Sequence, residues 1–148
     1  MIKRLVLASI LFALAACDAS FVSFGATPTP TCEAGLPAFA RTLDPLAREW
    51  DDANRVAGST PRAALSVQIG ALQSVRRRVQ DIVAPTCGAS MKDHLIKAMD
   101  ATIDAYVAFL SQKTDAEVSR YFTTATQEMH AYQAASLAAM LPASTATP

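Results

Sequence analysis

Residues 36–53 read LPAFARTLDPLAREWDDA, and within them Leu36, Phe39, Leu43, Leu46, Trp50 and Ala53 recur at steps of three and four. That spacing places all six on one stripe of an α-helix, because 3.6 residues complete a turn. A strand would need alternation at two, which is absent. Pro45 lies inside the stripe and removes one backbone donor, so the helix is either kinked there or broken, with Asp44 as N-cap and Pro45 in the first turn. The stripe keeps its phase across Pro45, which favours the kink. On the outer face Arg41, Asp44, Arg48, Asp51, Asp52 and Arg55 interleave opposite charges at the same spacing, forming surface pairs worth a few tenths of a kcal/mol each. Gly58 is the expected stop.

Three further helices follow from the same period. Thr60-Pro61 supplies a cap and a first-turn proline, after which Leu65, Ile69, Leu72, Val75, Val79, Ile82 and Val83 form a stripe that Pro85 ends. Ser90 with Asp93 has the form of a capping box before Leu95, Met99, Ile103, Tyr106 and Leu110. Thr114 with Glu117 is a cleaner box, opening a helix with Val118, Phe122, Ala125, Met129, Tyr132, Ser136 and Ala139 on one face. The expected fold is therefore all-α. Short connections between long helices predict an antiparallel, up-down four-helix bundle over residues 32–141.

The cysteines test that topology. Rising 1.5 Å per residue, the first helix climbs about 30 Å and the second descends about 34 Å, which returns Cys87 to the level of Cys32. A disulfide between them would close a loop of about 56 residues and stabilise the fold by about 4 kcal/mol through the unfolded chain. Two free thiols and a metal-binding pair are the other readings, although no further ligand is spaced nearby.

The chain opens with Lys3 and Arg4, then an unbroken apolar run from Leu5 to Ala16. That is the charged and hydrophobic plan of a secretory signal, and the run falls short of the about 20 residues a membrane span requires. It ends in Leu14-Ala15-Ala16-Cys17, which resembles the lipobox of bacterial lipoproteins. The resemblance implies removal of residues 1–16, diacylglycerol on the Cys17 thiol and acylation of the new amine with chains of the palmitate kind. Ordinary cleavage after Ala13-Leu14-Ala15 also fits the small-x-small rule and would leave Cys17 a free thiol. Parity favours the lipobox, since lipidating one of three cysteines leaves an even pair. Asp18 follows, and in lipoproteins of enteric-type bacteria an aspartate there is associated with the inner membrane.

Residues 18–31, DASFVSFGATPTPT, have the composition of a semi-extended tether with a reach of about 45 Å. Phe21, Val22 and Phe24 are its apolar exception, with the head-group interface and the bundle surface both open to them. Residues 142–148 read as a frayed tail. Losing Lys3 and Arg4 from a balanced 13 against 13 leaves a net charge of about minus two. No basic face of the kind that nucleic acid requires results.

Candidate chemistry is sparse. His94 and His130 each lie one residue off an apolar stripe, and Glu128-Met129-His130 lacks the Glu-x-x-His spacing of bundle metal sites. Met99 and Met129 sit at core positions, where methionine is filler, and no Cys-x-x-Cys-His run attaches haem. Arg76, Arg77 and Arg78 fan about 100° apart and do not converge. No nucleophile turn, phosphate loop or His-Glu-x-x-His appears, so an enzyme is not expected and no cofactor is implied. Trp50, Tyr106 and Tyr132 are the candidate walls of a ligand pocket.

Beyond the lipobox, the order Trp50, Thr60-Pro61-Arg62, Pro85-Thr86-Cys87, Tyr106 and Phe109 resembles small helical bacterial lipoproteins of unknown function. It implies an architecture and no activity. The expectation is a lipid-anchored, non-enzymatic interaction or scaffold module of the cell envelope, held on the cell membrane facing the periplasm or exterior. Its partners would be the membrane and another envelope protein. A bundle that binds a small molecule, metal or haem is the alternative.

Overall fold

A computed structural model describes residues 32–141, apart from the side chain of Glu33. The leader, Cys17, the tether and the tail lie outside the described residues. Four helices make up the body: α1 (Cys32–Ser59), α2 (Leu65–Asp81), α3 (Ala89–Leu110) and α4 (Asp115–Met140). Short 3₁₀ turns precede α2 and α3, at Arg62–Ala64 and Thr86–Gly88. No strand occurs among the described residues.

The helix α1 runs unbroken through Pro37 and Pro45, so the restart at Asp44 does not occur. Pro45 deprives the carbonyl of Arg41 of its helical donor, and Arg41 is exposed, where water can replace it. Continuity follows the stripe. Phe39, Leu43 and Trp50 are buried, while Leu36, Leu46 and Ala53 pack partly buried against them.

Two helix starts differ from the sequence expectation. The Thr60 hydroxyl donates 2.6 Å back to the carbonyl of Val56, serving the end of α1 and not the start of α2. Pro61 is extended, a 3₁₀ turn intervenes, and α2 begins at Leu65 with no side-chain cap. The third helix begins at Ala89 after Gly88, again without a side-chain cap, so Ser90 lies inside it. By contrast, Thr114 and Glu117 form the expected box: the Glu117 amide donates to the threonine hydroxyl, and the carboxylate accepts from the Thr114 amide.

Helix α1 packs on α2 and α4, and α3 packs on α2 and α4, so adjacent helices close a ring around one core. The most enclosed helix is α3. Its large stripe of Leu95, Met99, Ile103 and Tyr106 is buried, and so is a second stripe of Ala98, Ala101, Ala105 and Ala108. Alanines at three and four leave no bulk between backbones, which lets α4 lie close with Ala125, Tyr132 and Ala139 as its buried contributors.

Polar contacts fix how the helices are rotated. Arg76 on α2 donates through Nε and a terminal nitrogen to both carboxylate oxygens of Asp100 on α3, at 2.8 and 2.9 Å. Arg78 pairs with Glu49 on α1, so the arginine run does fan out, and two of its members tie α2 to its two neighbours. The amine of Lys92 on α3 donates to the carbonyls of Gln80 and Ile82, supplying from a neighbouring helix the cation that the end of α2 uses. The ring of His94 meets Glu128 of α4 at 2.6 Å.

Cys32 and Cys87 form a disulfide, their Cα atoms 5.7 Å apart, joining the first residue of α1 to the turn before α3. With 55 residues of sequence separation, the link stabilises the fold by about 4 kcal/mol through the unfolded state.

Candidate functional site

The aromatic residues singled out as pocket walls are all core residues: Trp50 is 1 %, Tyr106 8 % and Tyr132 5 % exposed. Each borders a different crevice. No single crevice among the described residues is bordered by all three.

Trp50 borders a crevice of about 200 Å³ between α1, α3 and α4, with Asp51, Asn54, Phe122, Met129 and His130 around it. Tyr132 borders a second one of about 270 Å³, which shares Asp51, Met129 and Gln133 with the first. These two therefore form one groove along the α1/α4 seam. Partial desolvation there pushes the Asp51 carboxyl above its ordinary range, Asp52 adds to the shift, and Arg55 opposes it. Burial likewise raises the Tyr132 phenol; Asp44 and Asp51 add to the effect, and a hydrogen bond with Ser136 opposes it.

Tyr106 borders a crevice of about 260 Å³ at the end of the bundle where α1 finishes and α4 starts. All four helices reach it, through Ala57 and Gly58 of α1, Leu65 of α2, Tyr106 and Phe109 of α3, and Val118 and Phe122 of α4. Tyr106 and Phe122 meet edge to face, their ring centres 5.4 Å apart. The Tyr106 hydroxyl donates 2.8 Å to the side-chain oxygen of Asn54, and burial raises its pKa. Asn54 belongs to the first crevice and Phe122 to both, so this pair is the wall between them.

The sequence reading singled out neither Gly58 as a site residue nor the Arg62 and Phe109 pairing. Its stop signal at Gly58 is misplaced by a residue, and no glycine among the described residues has positive φ. Gly58 is helical, and what it contributes is an absent side chain. The guanidinium of Arg62 lies over the Phe109 ring at 4.3 Å from its centre, a cation–π contact with a ring that lines the crevice.

Among the described residues, no three His, Cys, Asp or Glu side chains are grouped to hold a metal ion. Every fully buried side-chain nitrogen or oxygen among them has a partner. His94 and His130 stand apart, since His94 faces Glu128 while His130 borders the Trp50 crevice. Met99 is fully buried as filler. Among the described residues, no helix is long and apolar enough to cross a membrane. No family model, curated protein or solved structure matches the chain.

Proposed function

We propose that the chain is an exported lipoprotein, acylated at Cys17, that presents a non-enzymatic, up-down-up-down helical bundle as an interaction module of the cell envelope. The observation that carries the proposal is the pairing of Cys32 with Cys87. A disulfide suits an oxidising compartment, and this one uses two of the three cysteines. The remaining one, Cys17, stands where the lipobox resemblance requires a lipidated residue. Each buried methylene contributes about 0.8 kcal/mol, so two or more acyl chains suffice to hold the protein on a bilayer.

The up-down order is supported by contacts in which residue numbers rise on one helix as they fall on the next. Cys32 meets Cys87 where Glu49 meets Arg78, Gln80 meets Lys92 where Arg76 meets Asp100, and His94 meets Glu128 where Tyr106 meets Phe122. The interaction role rests on the lipobox resemblance joined to a bundle whose helices are tied by Arg76 with Asp100, Arg78 with Glu49 and His94 with Glu128.

The test is the chemistry of Cys17 in protein expressed in a bacterium that processes lipoproteins. Expected is a membrane-bound form whose N-terminal peptide starts at Cys17 and carries acyl mass, while Cys17→Ala leaves the acylated fraction. A membrane-fraction peptide with a bare Cys17 thiol refutes the anchor. The interaction role predicts that crosslinking in intact envelopes captures one reproducible partner, and repeated absence of any partner refutes it.

A further inference from the structure

We infer that the crevice beside Gly58 is a binding site for an amphiphilic monocarboxylate, its aliphatic chain against Tyr106, Val118 and Phe122 and its carboxylate on Arg62. The crevice is apolar because its polar members are engaged elsewhere. Thr60 donates to Val56 and Tyr106 donates to Asn54, so both turn their hydrogen-bonding capacity back into α1. What faces the space is mostly ring and aliphatic surface, with the Tyr106 oxygen beside Gly58.

Two observations besides the volume of about 260 Å³ point to an occupant. First, the lining includes Gly58, where a Cβ would meet only the Tyr106 oxygen, at 3.5 Å, so this stretch of wall is bare of side chain. The residue does not serve a left-handed turn, the usual reason for a glycine near a helix end. Second, two of the lining rings are left partly in water: Phe109 is 41 % and Phe122 37 % exposed.

Arg62 selects the class of ligand. Its guanidinium rests on Phe109 and makes no ion pair with any carboxylate among the described residues. A guanidinium fork 4.3 Å from the centre of a ring that lines the crevice complements a carboxylate that ends an aliphatic chain. A neutral apolar molecule would leave the cation unused, and a polyanion would gain nothing from the slot. The site draws on residues 57–122 only and is independent of whether Cys17 is acylated.

The experiment uses the full chain with Cys17→Ala, titrated with sodium octanoate below its micelle concentration and followed by amide NMR. Octanol, with a tail but no carboxylate, and acetate, with the reverse, are the comparison probes. Expected is saturable octanoate binding, with a Kd on the order of 1 mM, that shifts the amides of Gly58, Arg62 and Phe109. Acetate leaves these amides unmoved. Arg62→Gln, an exposed change that leaves the core intact, weakens octanoate about fivefold, as expected for an exposed ion pair, and leaves octanol unchanged. Gly58→Leu, which fills the slot, removes binding of both tails. Unsaturable shifts, octanoate binding indifferent to Arg62→Gln, or binding that survives Gly58→Leu in a folded variant each overturn the inference.

Discussion

Gly88 and Gly58 sit at opposite ends of the bundle, and the same residue type does opposite things there. At Gly88 a Cβ would come within 2.6 Å of the Phe39 ring, so the missing side chain lets α1 seat its aromatic directly against the turn before α3. The disulfide lies at this end, and Lys92 holds the carbonyls that finish α2 nearby. At Gly58 a Cβ would meet a single atom at ordinary contact distance. There the four helices converge without closing, and Phe109 and Phe122 remain partly in water. The Phe39 ring fills the space at Gly88, and open space stands beside Gly58.

The strongest way to break the contrast is to unseal the closed end. Cys32→Ser with Cys87→Ser should lower unfolding stability by about 4 kcal/mol in guanidinium titration, the value for a loop of this length. Both cysteines are exposed, so mild reductant should have the same effect on the native chain. A loss near zero would mean that packing alone holds this end together. Gly88→Ala should cost about 2 kcal/mol, as overpacking does when the obstructing atoms belong to a 6 % exposed ring. In a domain of this size that corresponds to a melting temperature lower by roughly 10 °C. An unchanged melting temperature would show that Phe39 has room to retreat.

The sequence made the helices legible and the rotations between them illegible. Stripes at three and four located all four helices, since burial of one face is a local property of the pattern. The first stripe also kept its phase across Pro45, and α1 is continuous there. The start expected at Thr60 is displaced because a hydroxyl near a helix end can serve either the helix behind or the one ahead, as Thr60 does, whereas the one expected at Ser90 falls inside α3. The alanine stripe of α3 stood in the sequence at 98, 101, 105 and 108, but attention to large side chains passed over it. Pairs such as Arg76 with Asp100 and His94 with Glu128 depend on how two helices are turned toward each other, which no single stripe specifies. The same limit explains why Trp50, Tyr106 and Tyr132, expected around one pocket, divide between the α1/α4 groove and the crevice beside Gly58.

Tyr106 is the wall between the open end and the α1/α4 groove, and removing its hydroxyl sharpens the contrast. Tyr106→Phe keeps the ring and leaves the Asn54 side-chain oxygen without its 2.8 Å donor, at a cost of about 1 kcal/mol. The variant also carries a pH signature. Burial raises the native phenol above its ordinary value of about 10, so the folded state binds this proton more tightly than the unfolded one. Its contribution is fully present below about pH 10 and is lost as pH rises through the higher native value. Denaturation curves on either side of that window should show Tyr106→Phe losing less stability on the alkaline side than the native chain. Equal alkaline losses would mean that Tyr132, also raised by burial, accounts for the whole effect.

The smallest expected effect has the opposite sign. Gly58→Ala adds a methyl where only the Tyr106 oxygen is near and replaces the poorest ordinary helix former by the best, in a helical conformation that alanine adopts freely. The variant should gain about 0.5 to 1 kcal/mol, read as a melting temperature several degrees higher. The identical substitution at Gly88 should lose more than this gain, so the pair of alanine variants measures the asymmetry with one chemical change. A stabilised Gly58→Ala chain would mean that the native glycine is held at a cost to the helix, as expected where open space beside Tyr106 has a use. A destabilised one would mean that the space is already filled in solution and that the two ends are sealed alike.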